Sequence, residues 1–386
     1  MEIMAELSKH MKERPLQLYQ EKEQGKKVVG FFPGDFVPEE LIYAAGAIPV
    51  CLVHGGTTEP VEAASYAASR VLCPFSKTAI GLWTLAQPYY RLVDLLVAPI
   101  SCNHLRRTAD MWYYFTGTEV FYLGVPHEHG AEHALQYYIE SLKALKERLE
   151  RLTGQKVDDE KLKDSITIYN EIRAYLKRIS ELRKSDVSPI KGSEFVALNH
   201  ESYYSDPDVM RKALKAFYEN RKGNSVKGSR PRGRVMLAGP NLSMGDTKVM
   251  SIVEKMGGQI VIEEICEGVR YYWENISTQG DLINNIGEKY LMRRVPCAFQ
   301  GQGTLERMDF MEMLAREFRI DGVIWYQLRY CETYNAEYYY VQNRFQKNGI
   351  PIMKIESEYD PSDHGQISTR IDAFLEMVER RTDYVR

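Results

Sequence analysis

Short apolar runs separated by helical spacing recur in two distant parts of the chain. In the first part, residues 1–25 read as a charged helix, and KKVVGFFPGDFVPEELIYAAGAIPVCLVHGG then reads as strand, loop, helix, strand. Val28 to Phe32 is apolar, Pro33-Gly34 breaks it, and Asp35 can cap the helical stretch from Glu39 to Ala45. Gly46 ends that stretch, and Ala47 to Val53 is strand-like again. The segment after Cys73-Pro74 has helical spacing, LVDLLVAPI reads as a buried strand, and Phe121 to Pro126 reads as another. Continuous rather than alternating apolar runs predict parallel strands covered on both faces.

From about residue 127 the texture changes. ALQYYIESLKALKERLERL, KLKDSITIYNEIRAYLKRISELRK and DVMRKALKAFYENRKG carry apolar residues at helical spacing amid dense charge. NSVKGSRPRGR then reads as a linker, with a boundary between Gly223 and Gly233. After it the first pattern returns. RVMLAGP, QIVIEEICEG, DGVIWY and NGIPIMKIESEYD predict strands, with helices at MGDTKVMSIVEKMGG, LERMDFMEMLAREF and GQISTRIDAFLEMVERR. The expected architecture is α/β, with two Rossmann/flavodoxin-like parallel-sheet lobes joined by a helical segment. The expected divisions are an N-terminal lobe over 1–126, a helical segment and linker over 127–230, and a C-terminal lobe over 231–386.

Length and charge narrow the function. At 386 residues the chain exceeds one ordinary core, and 50 basic against 53 acidic residues give no electrostatic case for nucleic acid or an anionic membrane surface. No apolar run approaches the roughly 20 residues a membrane span needs, and MEIMAELSKHMKERP lacks the apolar stretch of a secretory signal. A cytoplasmic, soluble protein is expected.

Such a compartment keeps thiols reduced, so Cys51, Cys73, Cys102, Cys266, Cys297 and Cys331 are not expected to pair as disulfides. None lie in C-x-x-C pairs, which removes the usual zinc-ribbon and thioredoxin signatures. Buried thiols acting as small hydrophobes are one reading. Aligning the two halves supplies another. Cys51 and Cys266 end the second strand of each half, Cys73 and Cys297 sit beside a proline before a helix, and Cys102 and Cys331 follow an Asp-headed strand. Ligands of parallel α/β sheets gather beyond the carboxyl ends of the strands. Two lobes facing one cleft would present three thiolates each, and thiolates in threes select soft metals, above all iron–sulfur clusters. Three thiolates leave one iron of a 4Fe-4S cubane open. Six admit either two open cubanes or one fused double-cubane 8Fe-9S cluster with a bridging sulfide.

At these residues the chain resembles the 2-hydroxyacyl-CoA dehydratase and benzoyl-CoA reductase family. The matching features are Cys73-Pro74-Phe75-Ser76-Lys77, the Asp94 strand into Cys102, and Gly322-Val323-Ile324 through Cys331. They continue with Asn348-Gly349-Ile350-Pro351, Glu356-Ser357-Glu358 and Gly365-Gln366-Ile367-Ser368-Thr369-Arg370. The resemblance implies that Cys73, Cys102 and Cys331 bind one cubane. The surplus of Cys51, Cys266 and Cys297 looks like the double-cubane branch. That branch implies a homodimer, served by a separate ATP-hydrolysing iron–sulfur reductase, that reduces small molecules of the acetylene, azide and hydrazine class. The alternative expectation is a dehydratase or reductase subunit acting on a CoA thioester with a single 4Fe-4S cubane. A non-catalytic iron–sulfur carrier is a third.

Other features carry less. His104 beside Cys102 and Arg329 near Cys331 are candidate proton or charge donors. His127, His129 and His133 read as a solvated helix start rather than a zinc site, and Tyr338-Tyr339-Tyr340 as helix packing between lobes. No G-x-x-x-x-G-K-S/T occurs, which assigns ATP use to a partner.

Overall fold

In the computed structural model, which describes residues 2–223 and 230–384, eight strands form two four-stranded parallel sheets of the same plan. The first contains β1 (Val28–Phe31), β2 (Ile48–Cys51), β3 (Leu95–Pro99) and β4 (Glu119–Leu123), in the order β2-β1-β3-β4. The second contains β5 (Gly233–Ala238), β6 (Gly258–Glu264), β7 (Gly322–Leu328) and β8 (Ile352–Ser357), in the order β6-β5-β7-β8. Parallel neighbours need a crossover, so each sheet is wound with helices on its faces. In both sheets the order reverses beside the first strand, which opens a crevice at the carboxyl ends of the central pair.

Burial differs between the two edges of each sheet. Every residue of β1, β2, β3, β5 and β7 is buried and β6 nearly so, whereas the opposite edge strands β4 and β8 are partly open. That difference explains a shift from the sequence expectation. Strand β4 begins at Glu119, an edge residue that pairs with Arg148, and ends at Leu123 rather than Pro126. Strand β6 likewise ends at Glu264, two residues before Cys266.

The Asp-headed strands are built alike. Asp94 accepts from the Val28 backbone N–H at 2.9 Å, and its own N–H donates to the Val28 carbonyl at 2.8 Å. Asp321 does the same with Arg234, at 2.9 and 2.7 Å. In each lobe an aspartate thereby locks the start of the third strand to the start of the first.

Between the sheets lie the helices Ala134–Thr153, Asp159–Glu181, Gly192–Glu201 and Pro207–Arg221. The linker expected between Gly223 and Gly233 falls largely on residues 224–229, outside the described residues. The lobes meet through backbone. The Met244 N–H donates to the Val53 carbonyl at 2.8 Å, and the Gly55 N–H donates to the Met244 carbonyl at 3.0 Å. Side chains would block this approach: a Cβ on Gly56, where φ is +90°, would lie 2.5 Å from the Asp246 nitrogen. Buried charge adds to the junction, with Lys289 on Asp35 at 3.0 Å and the Tyr290 hydroxyl on Glu40 at 2.9 Å.

Two smaller expectations change. His129 is buried rather than solvated, with Nε2 3.2 Å from Glu306, because the chain before the helix at Ala134 folds back onto the second lobe. Tyr338 packs tilted against Trp325, but Tyr339 and Tyr340 are exposed and do not pack between the lobes. No helix among the described residues is long and apolar enough to cross a membrane.

Candidate functional site

Three of the six thiols share one structural position. Cys73 is the N-cap of the helix Pro74–Thr84, Cys102 of Asn103–Thr116 and Cys331 of Glu332–Lys347. The unpaired N–H groups and dipole of a helix start favour a negative charge there. The backbone supplies those donors directly. The Leu105 N–H lies 3.4 Å from the Cys102 sulfur, the Tyr334 N–H reaches Cys331, and the Phe75 and Ser76 N–H groups reach Cys73. Proline at the first helical position after Cys73 fixes the turn at no cost in donors.

The three are close enough to act on one another. Burial pushes the Cys102 thiol up to about 12, with the charge of Cys73 adding to it. Burial also raises Cys331, and there the charges of Cys73 and Cys102 both contribute. Cys73 is raised by burial and lowered in part by its hydrogen bond with Ser76, 3.2 Å away. The first lobe thus supplies two of these thiols and the second supplies one.

Cys266 and Cys297 form a second group. The Tyr334 hydroxyl lies 3.5 Å from the Cys266 sulfur and 3.4 Å from the Cys297 sulfur, and Arg270 Nη1 donates to Cys266 at 3.3 Å. Their mutual hydrogen bond drives Cys266 up and Cys297 down. Behind it runs a buried ionic network. Arg270 donates to Glu264 at 2.6 Å, Arg307 donates to the same carboxylate at 2.8 Å, and Arg307 also pairs with Glu337. Tyr334 joins the two groups, with its backbone N–H toward Cys331 and its phenol toward the pair.

Cys51 stands apart. It is wholly buried and raised by that burial, the nearby carboxylates Glu267 and Glu39 adding to the effect; no charge of another cysteine figures among its causes. The last residue of β2 turns into the core, where the charges of Tyr90, Tyr203 and Tyr204 all feel it. Five thiols thus lie in two neighbouring groups, and Cys51 lies outside both.

His104 and Arg329 also take definite places. His104 Nδ1 accepts from the Cys73 N–H at 3.1 Å, so the half-buried ring braces that cysteine and leaves Nε2 free of this duty. Arg329 is exposed and pairs with Glu358 and, at 3.5 Å, with Glu356. Sequence reasoning missed Arg270, Arg307, Glu264, Glu337 and Tyr334. One signal was present: QIVIEEIC places two glutamates in a strand whose neighbours are all apolar, and buried carboxylates require partners.

Among the described residues no three His, Cys, Asp or Glu side chains are grouped tightly enough to hold one metal ion. A cluster does not need such a set, because each iron takes its own thiolate. Three converging thiols with anion-favouring helix starts fit a thiolate-bound iron–sulfur group.

Comparison with known families places this chain in a recognised class of enzyme subunit. Residues 36–378 match the family described as HGD-D, 2-hydroxyglutaryl-CoA dehydratase, D-component, and the chain belongs to that family. Its relatives include "Putative dehydratase subunit YjiM" of Escherichia coli (strain K12), 28% identical over 362 residues that cover 92% of this chain and 93% of the relative. A benzoyl-CoA reductase subunit of Thauera aromatica is 24% identical, covering 88% and 87%. The beta subunit of (R)-2-hydroxyglutaryl-CoA dehydratase from Acidaminococcus fermentans is 21% identical, covering 92% and 93%. The relatives are named as dehydratase and CoA-reductase subunits, so this chain is placed among enzymes.

Proposed function

We propose that the chain is an iron–sulfur subunit of a 2-hydroxyacyl-CoA dehydratase or benzoyl-CoA reductase type of enzyme, with Cys73, Cys102 and Cys331 holding one 4Fe-4S cubane. The observation that carries this is the shared helix N-cap position of those three thiols at the meeting of the two lobes. The family match and the names of the relatives support a CoA thioester as substrate ahead of the acetylene, azide and hydrazine class.

When bound, the cluster supplies low-potential electrons and an iron open to a ligand. The chain's own residues do the rest. Helix starts stabilise the thiolates, His104 fixes the Cys73 backbone, and Tyr334 anchors Cys331. His104 Nε2 is the candidate proton carrier, and Arg329 a candidate charge at the rim. Without a phosphate-binding loop in the sequence, ATP hydrolysis falls to a separate iron–sulfur activator. The relatives are named as subunits, which supports assembly with further chains. A homodimer is what the double-cubane resemblance implies.

A second reading keeps the double-cubane 8Fe-9S cluster. The Cys266–Cys297 pair beside the three N-cap thiols favours it, and the separation of Cys51 leaves it one thiolate short. The assay is anaerobic turnover of the reconstituted chain with an ATP-dependent activator and a 2-hydroxyacyl-CoA. Enoyl-CoA formation that is lost in Cys331→Ala supports the first reading. Acetylene reduction without enoyl-CoA formation supports the second.

A further inference from the structure

We propose that Asp246 is a proton-loading site at the junction of the lobes, filled from solvent through Asp363, Ser357 and Tyr326. It stands on residues of the second lobe alone, whichever group the thiols hold. Asp246 is buried, at 3% exposure, and its hydrogen-bond partners are neutral. The Tyr326 phenol donates to Oδ2 at 2.6 Å, and the backbone N–H of Lys248 reaches the same carboxylate. The Lys248 ammonium turns to other acceptors: Ser357 Oγ at 2.9 Å, the Asp360 carbonyl at 2.6 Å and the Asp363 carboxylate. The buried carboxylates Glu40, Glu263 and Glu264, by contrast, each hold an arginine directly. A carboxylate held by neutral groups is costly to bury in its charged form. Burial accordingly raises Asp246 to about 6, against the Tyr326 hydrogen bond and the Lys248 charge, while the Asp363 charge adds to the rise. The first lobe meets this loop with the backbone of His54 to Gly56, and the His54 ring turns to Tyr204 instead.

The route outward is a file of hydroxyls. In the neighbouring strands β7 and β8, Tyr326 pairs with Ile355 and Leu328 with Ser357. Side chains alternate along a strand, so Tyr326 and Ser357 share one face of the sheet. There the Ser357 hydroxyl hydrogen-bonds to the Tyr326 phenol. Ser357 Oγ donates in turn to Asp363 Oδ2 at 2.7 Å, and Asp363 is part exposed. Uptake needs no other reactant. Hydronium gives a proton to Asp363 Oδ2, and that hydrogen bond reverses, with Asp363 now donating to Ser357. Ser357 passes its own proton to Tyr326, Tyr326 passes its own to Asp246, and the carboxylate becomes a neutral acid. At the inner end the Asp246 N–H donates to the Ser243 carbonyl at 2.9 Å, and the Ser243 and Tyr359 hydroxyls meet at 2.6 Å. A Cβ on Gly55 would lie 2.7 Å from that serine oxygen, so the acid is anchored where the first lobe touches the second. Use of its proton in turnover rests on the reading above, since reduction consumes protons as electrons arrive.

The test is infrared difference spectroscopy on the full chain, purified anaerobically, as pH is lowered from about 8 to about 5. Wild type should gain the carbonyl band of a protonated carboxyl, which isotope labelling of aspartate shifts and Asp246→Asn lacks. In Tyr326→Phe the band should appear at higher pH, because the phenol that steadies the carboxylate is gone. The isotope shift and this displacement assign the band even where Asp246→Asn does not fold. After a rapid pH jump, Ser357→Ala should gain the same band about ten-fold more slowly, the file being cut while Asp246 keeps its own partners. A wild-type chain with no label-sensitive band would overturn the loading site, and equally fast uptake in Ser357→Ala would overturn the route. The band is read in the resting chain, so failure of the dehydratase reading shows separately, as absent enoyl-CoA formation.

Discussion

The two lobes share strand order and the aspartate that locks the third strand to the first, yet they treat the end of their second strand in opposite ways. In the first lobe β2 ends in Val50 and Cys51, both fully buried in apolar and tyrosine surroundings. In the second, β6 ends in Glu263 and Glu264, buried as completely but matched by Arg183, Arg270 and Arg307. One backbone plan thus encloses a lone thiol on one side and an ionic scaffold beside a thiol pair on the other. The fold fixes where strands end, while the residues placed there set the charge around the nearby sulfur.

Removing charge from the second lobe should break this contrast most severely. Glu264→Ala removes the carboxylate that two buried guanidinium groups share and should cost about 3–5 kcal/mol of stability, whereas Cys51→Ala at the matching place should cost about 1 kcal/mol. Denaturant unfolding of the two variants measures both.

Acid should separate the lobes next. Burial lowers His54 from 6.5 to about 4, so the folded chain refuses a proton that the unfolded chain accepts between those values. Stability contributed by the neutral ring is complete above pH 6.5 and is lost as pH falls through that window, by up to about 3 kcal/mol. His54→Gln should flatten the slope of stability against pH between 4 and 6.5. An unchanged slope would show that His54 does not set it.

The junction offers a third effect. Gly56→Ala places a side chain at a φ of +90° and against the Asp246 backbone, and should cost roughly 2–3 kcal/mol, read as a lowered melting temperature. The smallest effects should be a matched pair. Asp94→Asn and Asp321→Asn each weaken one charged acceptor of a backbone N–H and should each cost about 1 kcal/mol. Unequal losses would show that the cation beside each carboxylate, Lys22 at Asp94 and Arg230 at Asp321, matters more than the shared backbone lock.

Much of this was legible in the sequence. Apolar runs such as Val28–Phe31 and Gly322–Leu328 announced strands buried on both faces, and the repeated Asp-headed strand announced two lobes. Cys73 was visible before a helix because a proline follows it, whereas Cys102 and Cys331 were legible only as residues that follow Asp-headed strands. The edges were less legible, since Glu119 in a half-exposed strand looks like a loop residue. Spacing along the chain located Cys51 at a strand end but not the direction its side chain takes. The Arg270–Glu264–Arg307–Glu337 network joins residues from four separate segments, a contact that no local pattern records.

Whether three N-cap thiols hold one cubane is decided by iron and sulfide per chain after anaerobic reconstitution, compared across single alanine replacements of the six cysteines. About four irons are expected in wild type and in Cys51→Ala, with loss of most of them in Cys73→Ala, Cys102→Ala and Cys331→Ala. About eight irons in wild type, falling in Cys51→Ala, would contradict the single cubane.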